Sequence, residues 1–135
     1  MTNYNNIRIE KFEKVSQDQG AWISRIFPDD NLKERRASNL LKARYVVVLK
    51  VEDEIAGVLF VRNILMIPNA TWIVGEKFQG MGFGSKLIEA SQKDLLFITA
   101  ITRNEISARL AKKAGFTHLP PAIWVWMNWT KLWKK

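Results

Sequence analysis

Alternating apolar and polar residues predict three strands in the first half of the chain. Residues 7–12 alternate apolar with charged side chains, which predicts a strand with one buried face. Residues 45–51 and 55–65 are rich in β-branched residues and favour extended backbone. A charged turn at residues 52–54 separates these two strands, so an antiparallel hairpin is predicted.

Two helices are predicted between the first strand and this hairpin. Apolar residues recur with helical spacing in residues 17–27, and Pro28 ends the run because proline cannot continue a helix. Asp29 or Asp30 is a candidate N-cap for a second helix over residues 32–41, since a carboxylate accepts hydrogen bonds from unpaired N–H groups.

The second half of the chain alternates strands with helices, and the pattern predicts crossover connections within one sheet. The predicted elements are a strand at 70–74 after a break at Pro68-Asn69, a helix from near Ser85, a strand at 95–101, a helix from Asn104 to Gly115 and a last strand region interrupted by Pro120-Pro121. The order β-α-α-β-β-β-α-β-α-β predicts a single mixed α/β domain over residues 1–135. Its central sheet is expected to be mostly antiparallel, with helices on both faces.

Composition excludes several kinds of site. The 135 residues include no cysteine and one histidine, so a disulfide framework, a cysteine nucleophile, a cysteine zinc site and a histidine metal cluster are excluded. The first residues are polar, and no apolar run reaches the roughly 18 residues of a membrane span. We therefore expect a cytoplasmic protein with no metal and no membrane partner.

The positive charge is concentrated near the C-terminus. The net charge is +8, and residues 101–135 carry seven basic side chains and one acidic side chain. Such a surface attracts polyanions, including phosphorylated cofactors, nucleic acid and acidic protein faces. A basic surface that only contacts solvent is an equal alternative.

A glycine-rich stretch, residues 75–84, links the predicted strand at 70–74 to the following helix. Glycine allows positive φ and lets a ligand approach the backbone closely. The start of a helix offers unpaired N–H groups and the positive end of a dipole, which together suit a phosphate or pyrophosphate. The alternative is a glycine-rich turn that binds nothing.

Two common phosphate-binding motifs fit this stretch poorly. Gly75 and Gly80 have the spacing of a Walker A loop, but Met81 stands where that motif needs lysine. Gly80 and Gly82 begin a dinucleotide fingerprint, but Ser85 occupies the third glycine position. No acidic residue follows about twenty positions later, where that fingerprint has one.

A third motif, Gln/Arg-x-x-Gly-x-Gly/Ala, is matched directly by Gln79, Gly82 and Gly84. This motif resembles the acetyl-coenzyme A pyrophosphate loop of the GNAT N-acetyltransferase superfamily. The lead-in to that loop is matched by Val74, while Glu76 stands where the family has proline.

A second segment strengthens the resemblance. Residues 104–116 align with the family pattern Asn-x-x-Ala-x-x-Leu-Tyr-x-x-x-Gly-Phe. The matched positions are Asn104, Leu110, Gly115 and Phe116. With the order of predicted elements, the chain is similar to the GNAT fold from about residue 7 to residue 129.

The resemblance implies acetyl-CoA as the cofactor. The cofactor-binding residues that it implies are Ile73, Val74, Gln79, Gly80, Met81, Gly82, Phe83, Gly84, Ser85 and Asn104. Backbone N–H groups of the loop would hold the pyrophosphate, and residues 71–74 would splay from the strand at 95–101 to admit pantetheine. Asn104 would reach the pantetheine arm from the other side.

Two departures concern proton transfer. The tyrosine with which the family protonates the leaving thiolate corresponds to Ala111, and Ser107, one turn earlier on the same helix face, is the candidate catalytic substitute. The alternative for Ser107 is a small packing residue. No carboxylate lies in strand 70–74, and Glu76 and His118 are candidate bases for which a solvent-facing or structural role is the stronger interpretation.

In this fold the acceptor usually meets the N-terminal helices, the hairpin and the last strands. The aromatic and basic candidates there are Trp22, Arg25, Arg35, Arg36, Trp124, Trp126 and Trp129. For Trp22, Trp124 and Trp126, a place in the apolar core is the stronger interpretation. The first functional hypothesis is an acetyl-CoA-dependent N-acetyltransferase acting on a primary amine of a protein or small molecule. Two alternatives are a nucleic-acid-modifying protein of the phage Mom type and a CoA-binding module with little catalysis. The acceptor and the oligomeric state stay open.

Overall fold

The computed structural model describes residues 6–129, which form one seven-stranded sheet with four α-helices. The strands are β1 (Ile7–Phe12), β2 (Tyr45–Val51), β3 (Glu54–Ile64), β4 (Ile67–Val74), β5 (Phe97–Ile101), β6 (Thr117–Leu119) and β7 (Ile123–Met127). The helices are α1 (Gln17–Ile23), α2 (Lys33–Leu41), α3 (Phe83–Asp94) and α4 (Glu105–Lys113). No helix in this part of the chain is long and apolar enough to cross a membrane.

The strand order in the sheet is β1-β2-β3-β4-β5-β7-β6. Neighbouring strands are antiparallel except for β4 and β5, which are parallel. This topology confirms the predicted mixed, mostly antiparallel sheet. The parallel pair is joined through α3, and it lies in the middle of the sheet.

Helices cover both faces of the sheet, and each face has its own apolar core. Side chains alternate along a strand, so β2 sends Val47 and Leu49 to one core and Val46 and Val48 to the other. The first core contains apolar residues of α3 and α4, and the second contains those of α1 and α2. Most residues of β2 and β3 are therefore buried on both sides of the sheet.

The edge strand β1 differs from its sequence prediction. Ile7 and Ile9 were expected to face a core, but they are 39% and 43% exposed. Since β1 lies at the edge of the described sheet and pairs with β2 alone, the alternating pattern correctly predicts a strand but overstates its burial.

The predicted cap of α2 is also wrong. Leu32 occupies the N-cap position and makes no side-chain cap hydrogen bond. Instead, Asp30 Oδ1 accepts the N–H of Leu32 at 2.9 Å, upstream of the helix. The short carboxylate of Asp30 reaches the N–H group two residues ahead and forms a local turn there. It does not reach the N–H groups in the first turn of α2.

The C-terminal end of α3 is tied to the sheet by one carboxylate. The Tyr45 hydroxyl donates to Asp94 Oδ2 at 2.6 Å, and Lys11 Nζ lies 2.8 Å from the same oxygen. Burial and the adjacent Asp94 charge raise the pKa of Tyr45, so its hydroxyl stays a hydrogen-bond donor at neutral pH. This contact fixes α3 against β1 and β2.

The β3–β4 hairpin turns at Leu65 and Met66, and the predicted break at Pro68-Asn69 is wrong. Pro68 lies within β4 opposite Asn63, where it needs no N–H group for the ladder. Leu65 and Met66 have φ angles of +51° and +69° and are 90% and 92% exposed. A two-residue turn of this kind favours Asn-Gly, so the apolar pair gives no turn pattern in the sequence.

We expect the double substitution Leu65→Asn/Met66→Gly to stabilise the protein by about 1–3 kcal/mol. The reason is that the left-handed region costs an ordinary residue roughly 1–2 kcal/mol, which glycine and, in part, asparagine avoid. Urea unfolding measures the change as a higher midpoint with an unchanged slope. An unchanged or lower midpoint would contradict the turn conformation described here.

Candidate functional site

The cleft of the molecule opens where β4 and β5 separate. Their ladder contains a single pair, Asn69 with Thr99. At this point Asn69 Nδ2 donates to Thr99 Oγ1 at 3.4 Å, and Thr99 Oγ1 donates to the Pro68 carbonyl at 2.8 Å. Beyond it the strands diverge, as the resemblance predicted, and leave a cleft of about 640 Å³.

Most of the predicted cofactor residues line this cleft. Those on its walls are Ile73, Val74, Gln79, Gly80, Gly82, Phe83, Gly84 and Asn104. The candidate catalytic residue Ser107 also lies on the wall. Met81 and Ser85 belong to the loop and the first turn of α3 but are not among the lining residues.

Two glycines of the loop leave open space beside the cleft. Gly80 and Gly82 have φ angles of +81° and +82°, and a Cβ atom at either position would have no heavy atom within 4 Å. Gly82 is the N-cap of α3, which begins at Phe83, two residues before the predicted start. The first turn of a helix leaves its N–H groups without intrahelical acceptors, so this open space adjoins a site suited to an anion.

Gly84 is required for a different reason. A Cβ atom there would lie 2.7 Å from Leu110 Cδ1, so the glycine lets α3 approach the side chains of α4 closely. The motif therefore combines glycines that open the loop with one that packs two helices. The sequence pattern alone did not separate these two roles.

Gln79 folds back onto the strand that precedes the loop. Its Nε2 atom donates to the Val74 carbonyl at 3.2 Å. The family often has arginine at this position, and glutamine instead supplies an uncharged contact across the base of the loop. This bridge is a feature that sequence reasoning missed, because glutamine gives no signal of its partner.

Asn104 caps α4, as predicted. Its Oδ1 atom accepts the Ser107 N–H at 3.1 Å. Ser107 is half-buried, and its hydroxyl has no hydrogen-bond partner in the part of the chain that the structure describes. Ala111 is fully buried and is not among the lining residues of the cleft, and its methyl group offers no proton donor.

The described lining of the cleft contains neither a carboxylate nor a histidine. Glu76 is exposed in a short 3-10 turn and lies outside the lining. The His118 ring stacks on Trp124 with centroids 4.3 Å apart, and its Nε2 lies 3.3 Å from the Pro121 carbonyl. Neither predicted base candidate is positioned on the cleft wall.

Of the seven acceptor candidates, only Arg36 lines the cleft. Trp124 is 7% exposed and belongs to the apolar core, as its structural interpretation predicted. Trp22 was expected in the core as well, but it is 39% exposed and packs under Lys50 Nζ, 4.7 Å from its ring.

Arg36 is held in place by Asp30. Its Nη1 atom lies 2.8 Å from Asp30 Oδ1, the same oxygen that accepts the Leu32 N–H. The Leu32 N–H and then the Arg36 side chain lower the pKa of Asp30, so the carboxylate stays ionised at neutral pH. This pair brings a fixed cation to the α1–α2 side of the cleft.

Comparison with known proteins supports the fold assignment. No family model matches the sequence, and no curated protein matches it significantly. A Desulfovibrio desulfuricans protein assigned to the GNAT family of acetyltransferases is similar in structure, with a TM-score of 0.74, 13% identity and coverage of 90% of this chain and 99% of that one. The ribosomal-protein-S5-alanine acetyltransferase of Vibrio fischeri has a TM-score of 0.63, 16% identity and coverage of 94% and 96%.

A third solved structure contains a ligand. Escherichia coli YhhK, assigned as an N-acetyltransferase and solved bound to coenzyme A, has a TM-score of 0.66, 15% identity and coverage of 91% of this chain and 99% of that one. These likenesses extend over nearly the whole chain. The chain has the GNAT fold, and the resemblance predicted from its two motifs is confirmed at that level.

Proposed function

We propose that this protein transfers the acetyl group of acetyl-CoA to a primary amine of a protein or small molecule. The observation that carries the proposal is the open loop at Gly80 and Gly82, which leads into α3 beside the cleft between β4 and β5. The residues present fit the cofactor, since a side chain at either glycine would enter the space that the pyrophosphate needs.

The chain's own groups would hold the cofactor along the cleft. N–H groups from Gly80 to Ser85 would bind the pyrophosphate at the positive end of α3. The edge of β4 that faces β5 has lost its ladder beyond Asn69, so backbone groups near Ile73 and Val74 would bind the pantetheine amides. When bound, acetyl-CoA supplies the acetyl group as an activated thioester.

Proton transfer in this cleft would depend on few side chains. Because the described lining has no carboxylate or histidine, the acceptor amine must arrive neutral or lose its proton to water. The Ser107 hydroxyl, which lines the cleft and has no protein partner among residues 6–129, would donate a hydrogen bond to the departing sulfur. We propose it as the catalytic residue in place of the family tyrosine.

Thermal unfolding with acetyl-CoA tests the cofactor directly. A ligand present at about 100 times its dissociation constant adds about 2.7 kcal/mol to the free energy of unfolding. We expect the unfolding midpoint to rise by several degrees with acetyl-CoA and to stay unchanged with NAD and ATP. No rise with acetyl-CoA would contradict the proposal.

The second candidate function is a CoA-binding module with little catalysis. The composition of the cleft wall supports this function, because the described lining contains no carboxylate or histidine that could act as an acid or base. Binding of acetyl-CoA without transfer to any amine in a broad acceptor screen would identify this function. The nucleic-acid-modifying alternative and the cytoplasmic location stay predictions from the sequence, and a steep loss of DNA or RNA affinity with salt would favour the former.

A further inference from the structure

The lining of the cleft extends to the face of the sheet opposite the glycine loop and α4. Ile73 packs with the core under α1 and α2, whereas Trp72 and Val74 pack with the core under α3 and α4. Thr71 lies on the same face as Ile73 because side chains alternate along β4. With Pro28 and Arg36, these residues form the wall of the cleft on the α1–α2 side.

The charge on the wall of this cleft is of one sign, positive. Arg36 is the one charged side chain in the lining among residues 6–129, and no acidic residue lines it. A protonated amine or a polycation would meet a like charge on the wall, because the carboxylate that pairs with Arg36, Asp30, is not a lining residue. A negative group on the acceptor would meet a guanidinium, and the same cation would lower the pKa of a neighbouring amine and favour its neutral form.

The Arg36 guanidinium has more N–H donors than its contact with Asp30 uses. Of the five N–H groups of an arginine, the contact with Asp30 uses Nη1, and no other side-chain partner is present in the described chain. The side chain is 25% exposed, so it is accessible from the cleft while its position stays fixed by Asp30. A carboxylate could accept two parallel hydrogen bonds from the remaining donors.

We propose that the acceptor is a small amine that carries a carboxylate, and that Arg36 binds this carboxylate on the α1–α2 side of the cleft. The inference rests on the proposed acetyltransferase function, which it extends to an acceptor class. It places the amine between Arg36 and the thioester side of the cleft. Polyamines and other polycations are excluded as good acceptors.

Matched probes test the carboxylate preference. The pairs are 4-aminobenzoate with 4-aminobenzamide and phenylalanine with phenylalanine amide, and spermidine serves as a polycation. Each is titrated by calorimetry into the protein with and without CoA, and its acetylation is measured with acetyl-CoA. We expect each carboxylate to bind about tenfold more tightly than its amide, since hydrogen bonds to charged groups are the stronger kind.

Three variants separate Arg36 from general charge effects. Arg36→Gln is expected to remove the preference, and Arg35→Gln, the same change at the exposed neighbouring arginine, is expected to leave it unchanged. Asp30→Asn keeps an oxygen for the Leu32 N–H but removes the negative charge that competes with the ligand carboxylate for Arg36. The preference for carboxylates over amides should therefore increase. This variant also provides a test if Arg36→Gln does not fold.

The proposal is overturned if the carboxylates bind no more tightly than the amides, if spermidine is the better acceptor, or if Arg36→Gln leaves the ratio unchanged. Its failure is distinct from failure of the proposed function. Cofactor binding is measured in parallel by thermal unfolding, and a protein that binds acetyl-CoA without preferring carboxylates refutes only the acceptor class.

Discussion

Replacing Gly82 by leucine is expected to weaken acetyl-CoA binding at least about a hundredfold. Gly82 has a φ angle of +82°, and its missing side chain leaves open space beside the cleft. A leucine would occupy this space and would also strain the backbone at the start of α3. Losing two hydrogen bonds to a charged pyrophosphate, at about 1.5–3 kcal/mol each, accounts for this factor. Calorimetric titration with acetyl-CoA measures it.

Two further glycine variants separate steric blocking from backbone strain. Gly115 has a similar φ of +92° but lies after α4, where a Cβ atom would meet Trp126 at an ordinary 3.8 Å. Gly115→Ala should therefore lower stability about as much as Gly82→Ala, by roughly 1 kcal/mol, while leaving cofactor affinity intact. Full-affinity binding by folded Gly82→Leu would show that the loop is not the pyrophosphate site.

Truncating Leu87 to alanine is expected to lower the free energy of unfolding by about 2–5 kcal/mol. Leu87 lies on α3, is fully buried and belongs to the core between this helix and the sheet. Its packing against β3 is close, since a Cβ atom on Gly57 would lie 2.9 Å from Leu87 Cδ1. The alanine would leave a cavity under the helix that carries the loop, and such cavities have costs of this size.

Urea unfolding measures the Leu87→Ala effect, and Lys86→Ala is its control. Lys86 is the preceding, exposed residue of α3, so its truncation should change stability by no more than about 0.5 kcal/mol. A loss below 1 kcal/mol for Leu87→Ala would mean that α3 does not pack on the sheet as described. Because alanine is a good helix former, the change tests packing rather than helix propensity.

The sequence predicts the fold well where its local patterns and the tertiary environment agree. The strand at Tyr45–Val51 and the cap at Asn104 have the predicted positions, because β-branched residues and a capping side chain act locally. The turn at Leu65-Met66 could not be predicted, since its residues lack the usual turn chemistry and the flanking strands impose the conformation.

The candidate site was partly predictable for a similar reason. The glycine spacing identified the loop, because positive φ and open space require glycine. The separate role of Gly84 against Leu110 could not be predicted, since it depends on how two helices meet. The position of Arg36 on the cleft wall likewise depends on how α2 packs. The sequence did not distinguish it from the three other acceptor candidates in the N-terminal helical region, Trp22, Arg25 and Arg35.

Strand pairing is weakest between β4 and β5, where the ladder contains a single pair. Four strands on one side and three on the other meet through Asn69 and Thr99, whose side chains reinforce that one point. The two halves are also held together by the apolar core under α3 and α4, which contains Leu59 of one half and Ile98 and Ala100 of the other. Cleft width therefore depends more on side-chain packing than on strand-to-strand hydrogen bonds. A side chain that wedges or releases this point would alter how wide a substrate the cleft admits without touching any residue on its walls.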